Sequence, residues 1–175
     1  MRKTNNKEYI YLSIRYLILL TSMFTLPIFH KIFSPLTIYS VTKILSRFYQ
    51  ISLNQNLILI NNLTLIEIIP ACIAGSAYLF FLILNLSIQM NPKKRIYTIL
   101  FAFSSLFILN IFRIIILTII VTNNPSLFDL THKLFWYILS TILVIVIWFL
   151  TIKLFSIKEI PLISDVKFII KNIKK

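Results

Sequence analysis

Apolar positions gather in four stretches, over 9–30, 70–89, 96–121 and 131–154. Each is about 20 or more residues long and predominantly apolar, which is what a helix needs to cross a bilayer. The pattern predicts an all-α integral membrane protein, one membrane domain over 1–175 with about four transmembrane helices. The segment 31–69 between the first two stretches has other periods. In "LTIYSVTKILSRFYQ" the apolar residues Ile38, Val41, Leu45 and Phe48 recur at helical spacing, with Lys43, Ser46 and Arg47 opposite. That spacing predicts an amphipathic helix lying in a membrane interface. In "ISLNQNLILINNLTLIEII", two β-prone runs flank Asn61-Asn62, and asparagine tolerates the left-handed backbone of a hairpin turn. A small β-hairpin and a loosely structured loop are both open there. The tail over 155–175 alternates apolar and basic residues, which predicts a basic helix on the cytoplasmic leaflet.

Charge orients this pattern. The chain has 18 Lys and Arg against 5 Asp and Glu, a formal net charge of +13. The basic residues cluster between the apolar stretches: Arg2, Lys3 and Lys7, then "NPKKR", then Lys153 onward. Cationic clusters interrupted by spans mark a positive-inside topology rather than a nucleic-acid-binding face. Both termini and the "NPKKR" loop are then cytoplasmic, while 31–69 and "TNNPSLFDLTH" are outer segments. The reading is of a multi-pass protein of the cell membrane. No small-residue cleavage site follows the first apolar stretch, so a cleavable signal peptide is not expected.

Composition narrows the chemistry. Hydrophobic residues make up 58% of the chain, and there is one Gly and one Cys. A single cysteine excludes an internal disulfide, and a single glycine excludes a dinucleotide fingerprint. Neither HExxH nor a paired-cysteine metal motif occurs, so no cofactor or metal is expected. Attention falls instead on polar residues inside apolar stretches. An arginine at a helix centre costs about 2.5–3.5 kcal/mol on insertion scales and normally faces a protein interior. Arg113 is such a residue, about 12 Å from the end of its expected span, and Asn110 lies on the same helical face. Cys72 follows Pro70, a residue suited to the first helical position. Placed in the first turn of the second span, its thiolate would be stabilised by the helix N-terminus. His132 opens the fourth span, with Asp129 at a spacing that could hold the imidazole in one tautomer.

Each of these residues also has a plainer role. Cys72 and its small neighbours Ala71, Ala74, Gly75, Ser76 and Ala77 suit a close helix–helix contact. His132 suits a helix end, and His30, with no polar partner nearby in sequence, suits only that. Yet the topology brings Cys72, Arg113 and His132 to the outer half of the membrane from three different spans. Together they supply a nucleophile, a charge stabiliser and an acid–base group, the parts of a thiol acyl-transfer site.

At these residues the chain resembles the exosortase/archaeosortase family of membrane-embedded cysteine transpeptidases. The resemblance covers about 50–140. It rests on "PACIAGSAY", on "KKRIYTILFAFSSLFILNIFRIII" with its basic loop and Asn-x-x-Arg, and on "DLTH". It implies that Cys72 is the nucleophile, Arg113 the essential arginine and His132 the third catalytic residue. It further implies substrates among exported proteins that end in a short motif, a transmembrane helix and a basic cluster. The cysteine would release that helix, form a thioester and pass the acyl group to a lipid or envelope acceptor. Many members read Cys-Ser-Gly or Cys-Thr-Gly where this chain reads Cys-Ile-Ala-Gly, and many have additional spans ahead of the core. Two alternatives stay open: a protease that hydrolyses the acyl-enzyme, and a non-enzymatic four-span scaffold in which Asn110 and Arg113 are interhelical hydrogen-bonding groups.

Overall fold

The structure is a computed structural model that describes residues 17–157 except 19, 22 and 89. The opening turns of the stretch over 9–30 and nearly all of the basic tail lie outside the described residues. A 3-10 turn, Met23–Thr25, leads into helix α1, Leu26–Leu45. Pro27 falls in its first turn, where the missing N–H costs nothing. Pro35 stands in its interior. The helix runs unbroken through residue 30, where the first span was expected to end. Of the expected amphipathic face, Val41 and Leu45 are buried and Ile38 packs beside them, whereas Phe48 lies beyond the helix and is exposed. That face covers protein core.

Three antiparallel strands follow in the order β1 (Ile51–Asn54), β2 (Leu57–Ile60) and β3 (Thr64–Glu67). The register pairs Ile51 with Ile60 and Asn54 with Leu57, then Leu57 with Glu67 and Ile60 with Thr64. Asn61 and Asn62 both take positive φ, 50° and 56°, and the Leu63 N–H donates to the Ile60 carbonyl at 3.0 Å. This is the hairpin turn that the asparagine pair suggested. The first β-prone run is itself folded in two, because Gln55 takes a φ of 55° and reverses the chain. Ile58 and Ile60 bury one face of the sheet against Val41 and Leu45 of α1 and against Ile111 and Ile114 further on.

The stretch over 70–89 departs most from expectation. It begins as a 3-10 turn, Pro70–Ile73, passes through Ala74 in the left-handed region (φ 59°, ψ 34°), and only then becomes helix α2, Gly75–Ser87. The 13 residues of α2 reach about 20 Å, short of the roughly 30 Å hydrocarbon core. Helix α3, Pro92–Asn123, has 32 residues. It takes the "NPKKR" sequence into its own first turn, with Pro92 at its start. Asn124 alone then separates α3 from α4, Pro125–Leu134. The outer loop expected around "TNNPSLFDLTH" is therefore helix, because Pro125 restarts the rod at once. A π-helical turn, Phe135–Leu139, joins α4 to α5, Ser140–Leu154, with the Ser140 N–H donating to the Phe135 carbonyl.

Two helical rods, α3 (32 residues) and the continuous Pro125–Leu154 (30 residues), are long and apolar enough to cross a membrane. Only 28% and 11% of their most apolar windows are buried within the protein. A soluble protein hides its apolar core helices; these present theirs outward, which is the build of a helical membrane-associated fold with a small sheet. Inside, Phe29, Tyr78, Phe81, Ala102, Leu106 and Ile147 form a second core between α1, α2, α3 and α5. The rings of Phe33 and Tyr78 stack there at 3.9 Å, with Phe103 edge-on to Tyr78 at 5.2 Å. The opposite end of α3 is tied by Arg95 to the Ile88 carbonyl (2.8 Å) and by Lys94 to the Ser156 carbonyl (3.3 Å). The sheet and the 70–73 turn thus lie toward one end of the molecule, and the basic residues of α3 toward the other.

Candidate active site

Cys72 lies in the 3-10 turn, its N–H donating to the Ile69 carbonyl at 2.8 Å. The sequence placed it in the first turn of a transmembrane helix. The structure places it three residues ahead of α2, across the left-handed Ala74, so the helix-dipole argument does not reach its thiol. The charged groups that act on the thiol are the Arg113 guanidinium and the Glu67 carboxylate. Cys72 is partly buried and unpaired.

The turn is held from α3. Asn110 Nδ2 donates to the Cys72 main-chain oxygen at 2.8 Å, and Arg113 Nη2 donates to the same oxygen at 3.3 Å. The i, i+3 spacing seen in the sequence is what brings both side chains to one acceptor. Arg113 Nη1 donates to Ser140 Oγ at 2.8 Å, and that hydroxyl donates to the Phe135 carbonyl at 2.7 Å. The guanidinium therefore bridges the cysteine turn and the junction of the π turn with α5, while its Nε is buried without a partner.

The lone glycine is explained by a neighbour. A Cβ on Gly75 would stand 2.6 Å from His30 Cε1 and 2.8 Å from His30 Nε2. The imidazole of His30 lies directly against the start of α2, and no larger residue leaves it that room. Backbone conformation would have favoured glycine one position earlier, at Ala74. The glycine is there for space. His30 Nδ1 is buried without a partner.

A cavity of about 270 Å³ opens at this point. Its wall is formed by Leu65, Ile66, Glu67 and Ile68, by Cys72, by Arg113, Ile114, Leu117, Thr118 and Val121 of α3, and by Phe128, His132, Phe135 and Trp136. Cys72, Arg113 and His132 thus line one cavity from three separate elements. His132 is fixed by rings one turn away on either side: Phe128 meets it edge-on at 5.2 Å and Trp136 stacks on it at 5.9 Å, 20° from parallel. The expected hold of Asp129 on His132 is replaced. Asp129 Oδ2 accepts from Lys133 Nζ at 2.7 Å on the exposed side of α4, outside the cavity wall. Its own helix supplies a cation four residues on, and an exposed pair forms there instead.

Sequence reasoning passed over two residues. Glu67 is the one carboxylate of the cavity wall, its Oε1 accepting from Asn56 Nδ2 at 3.0 Å. A charged residue closing a strand five positions before the cysteine was the signal available for it. Ser140 could not be read, because its approach to Arg113 depends on the π turn. Among the described residues no group of three or more His, Cys, Asp or Glu is placed to hold a metal ion. No family model matches the chain, and comparison with curated proteins and with solved structures finds no match.

Proposed function

We propose that this protein is a membrane-embedded thiol acyltransferase of the exosortase/archaeosortase kind, which cleaves the C-terminal sorting signals of exported proteins. The observation that carries the reading is the single cavity lined by Cys72, Arg113 and His132. The same three residues are among the polar and nucleophilic groups that stand out along the apolar stretches of the sequence. In the reaction His132 takes the Cys72 proton, and the sulfur attacks a peptide carbonyl. Arg113 has five guanidinium N–H groups, and those that its bonds to Ser140 and to the Cys72 carbonyl leave free are the donors proposed for the tetrahedral oxyanion. His132 returns the proton to the departing amine, leaving a Cys72 thioester. An amine or hydroxyl acceptor then takes the acyl group; water in its place gives hydrolysis.

In this reading the chain crosses the cell membrane about four times, with both termini cytoplasmic and the cavity toward the outer face. The basic first turn of α3 lies at the opposite end from the cavity, which supports that orientation. Membrane lipid is its surrounding partner, and no nucleic acid is involved.

The test is cellular. An exported protein ending in a motif, an apolar helix and basic residues is expressed with the wild-type chain and with Cys72→Ala, and its C-terminus is read by mass spectrometry. Loss of the tail with wild type and retention with Cys72→Ala is the expected result. Unchanged processing by Cys72→Ala removes the enzyme reading.

A second reading draws on a specific observation of its own. The bonds from Asn110 and Arg113 to the Cys72 carbonyl, and from Arg113 to Ser140, are the interhelical bonds a non-enzymatic four-span scaffold would use. The scaffold needs no thiol, so Cys72→Ala separates the two.

A further inference from the structure

We propose that the outer edge of β3 is a docking strand, to which an extended peptide with a cationic side chain opposite Glu67 adds as a fourth strand leading toward Cys72. The inference rests on the peptide-processing reading for its choice of occupant, and its geometry comes from the sheet. β3 ends the order β1-β2-β3 and pairs only with β2. The Ile68 N–H donates to the Asn56 carbonyl at 2.9 Å. Bonded pairs alternate along an antiparallel ladder, so Ile66 and Thr64 also face β2. Leu65 and Glu67 then turn their N–H and C=O groups the other way. Among the described residues nothing bonds to those groups.

The cavity lies along this edge. Leu65, Ile66, Glu67 and Ile68 all line it, although successive strand side chains point to opposite faces. Three consecutive residues of β3, with Ile68 just past its end, share one cavity when it follows the rim of the strand. The rim runs directly into the turn that holds Cys72, so a paired peptide would be carried to the thiol by main-chain bonds alone. Unpaired edges are the standard site of strand addition, with alternate side chains giving specificity. Charge selects the occupant. Glu67 is exposed and has no cationic partner among the described residues. A lysine or arginine of the peptide supplies one.

The test uses Cys72→Ala protein in lipid nanodiscs, so that binding is read apart from chemistry. The probe is a fluorescent, capped peptide of alternating valine and threonine with one central lysine, followed by anisotropy. N-methylation of one alternate set of its amides should weaken binding about tenfold, the loss of about two main-chain bonds. Methylation of the other set should leave binding intact. Leu65→Pro, which removes an edge N–H, should match the loss, and Leu65→Ala should not. Glu67→Gln should abolish the preference for lysine over norleucine. Failure of the unmodified peptide to bind, or equal effects of the two methylations, overturns the proposal. The methylated peptides act on an otherwise unaltered sheet, so a misfolded Leu65→Pro does not blur the result. Intact-mass detection of a Cys72 thioester in the wild type is a separate readout. An acyl-enzyme without edge dependence sinks the docking strand alone, and edge binding without an acyl-enzyme sinks the catalytic reading alone.

Discussion

Asn110 Nδ2 lies 2.8 Å from the main-chain oxygen of Cys72, not from its sulfur. The amide therefore positions the turn that carries the thiol and leaves the thiol itself uncommitted. Asn110 is buried, 4% exposed. Asn110→Ala should cost about 1–3 kcal/mol by leaving the carbonyl with only the longer bond from Arg113. Thermal unfolding in detergent measures that loss. Any peptide-processing activity should fall with it, since the thiol would no longer be held against α3.

Arg113 reaches two elements at once, the Cys72 carbonyl through Nη2 and Ser140 through Nη1. Lysine offers a compact point charge and cannot span both acceptors. Arg113→Lys should lower turnover about 100-fold if a free guanidinium N–H serves the oxyanion. Equal processing by Arg113→Lys and wild type would assign the guanidinium to packing alone.

Gly75 and His30 form a matched pair. Gly75→Ala forces its new methyl into the imidazole and should destabilise the protein by about 1–3 kcal/mol, the range for overpacked sites. Adding His30→Ala should recover most of that loss. Equal melting temperatures for Gly75→Ala with and without His30→Ala would refute the clash.

Ala74 holds a left-handed backbone that glycine enters without steric cost. Ala74→Gly should relieve about 1 kcal/mol of that strain, partly offset by the greater freedom of the unfolded chain. The expected outcome is a neutral to slightly raised melting temperature. A marked fall would mean that the methyl of Ala74 makes a packing contact that outweighs the strain.

Asp129 is committed to Lys133 on an exposed face. Asp129→Asn should leave processing within about twofold of wild type, since exposed pairs contribute little. His132→Gln should abolish processing, because glutamine cannot exchange the proton. Comparable losses in both variants would restore the carboxylate–imidazole pairing suggested by their spacing.

What the sequence disclosed was set by how local the cause is. The hairpin at Asn61-Asn62 was legible because asparagine itself favours the backbone that the turn requires. The shared face of Asn110 and Arg113 was legible because helical spacing is a local property. The break at Ala74 was hidden: alanine gives no hint of a left-handed backbone, and the small residues around it read as ordinary helix packing. The early start of α4 did carry a signal in Asn124-Pro125, an asparagine ahead of a proline suited to the first helical position. It was masked by the polar run around it. The role of Gly75 depends on an imidazole 45 positions away in the chain, and no pattern along the sequence could reveal it.

The π turn between α4 and α5 has a geometric consequence. His132 and Ser140 are eight positions apart, which in an uninterrupted α-helix would leave them about 80° out of phase. A wider turn winds less per residue, and five such residues recover most of that angle. The imidazole can then point into the cavity while the hydroxyl meets Arg113 on the same side of the rod. The alignment is a matter of counting: the wide turn absorbs one residue, so deleting one from 135–139 would restore an ordinary winding, set His132 and Ser140 seven positions apart and still keep them within about 20° of one face of the rod.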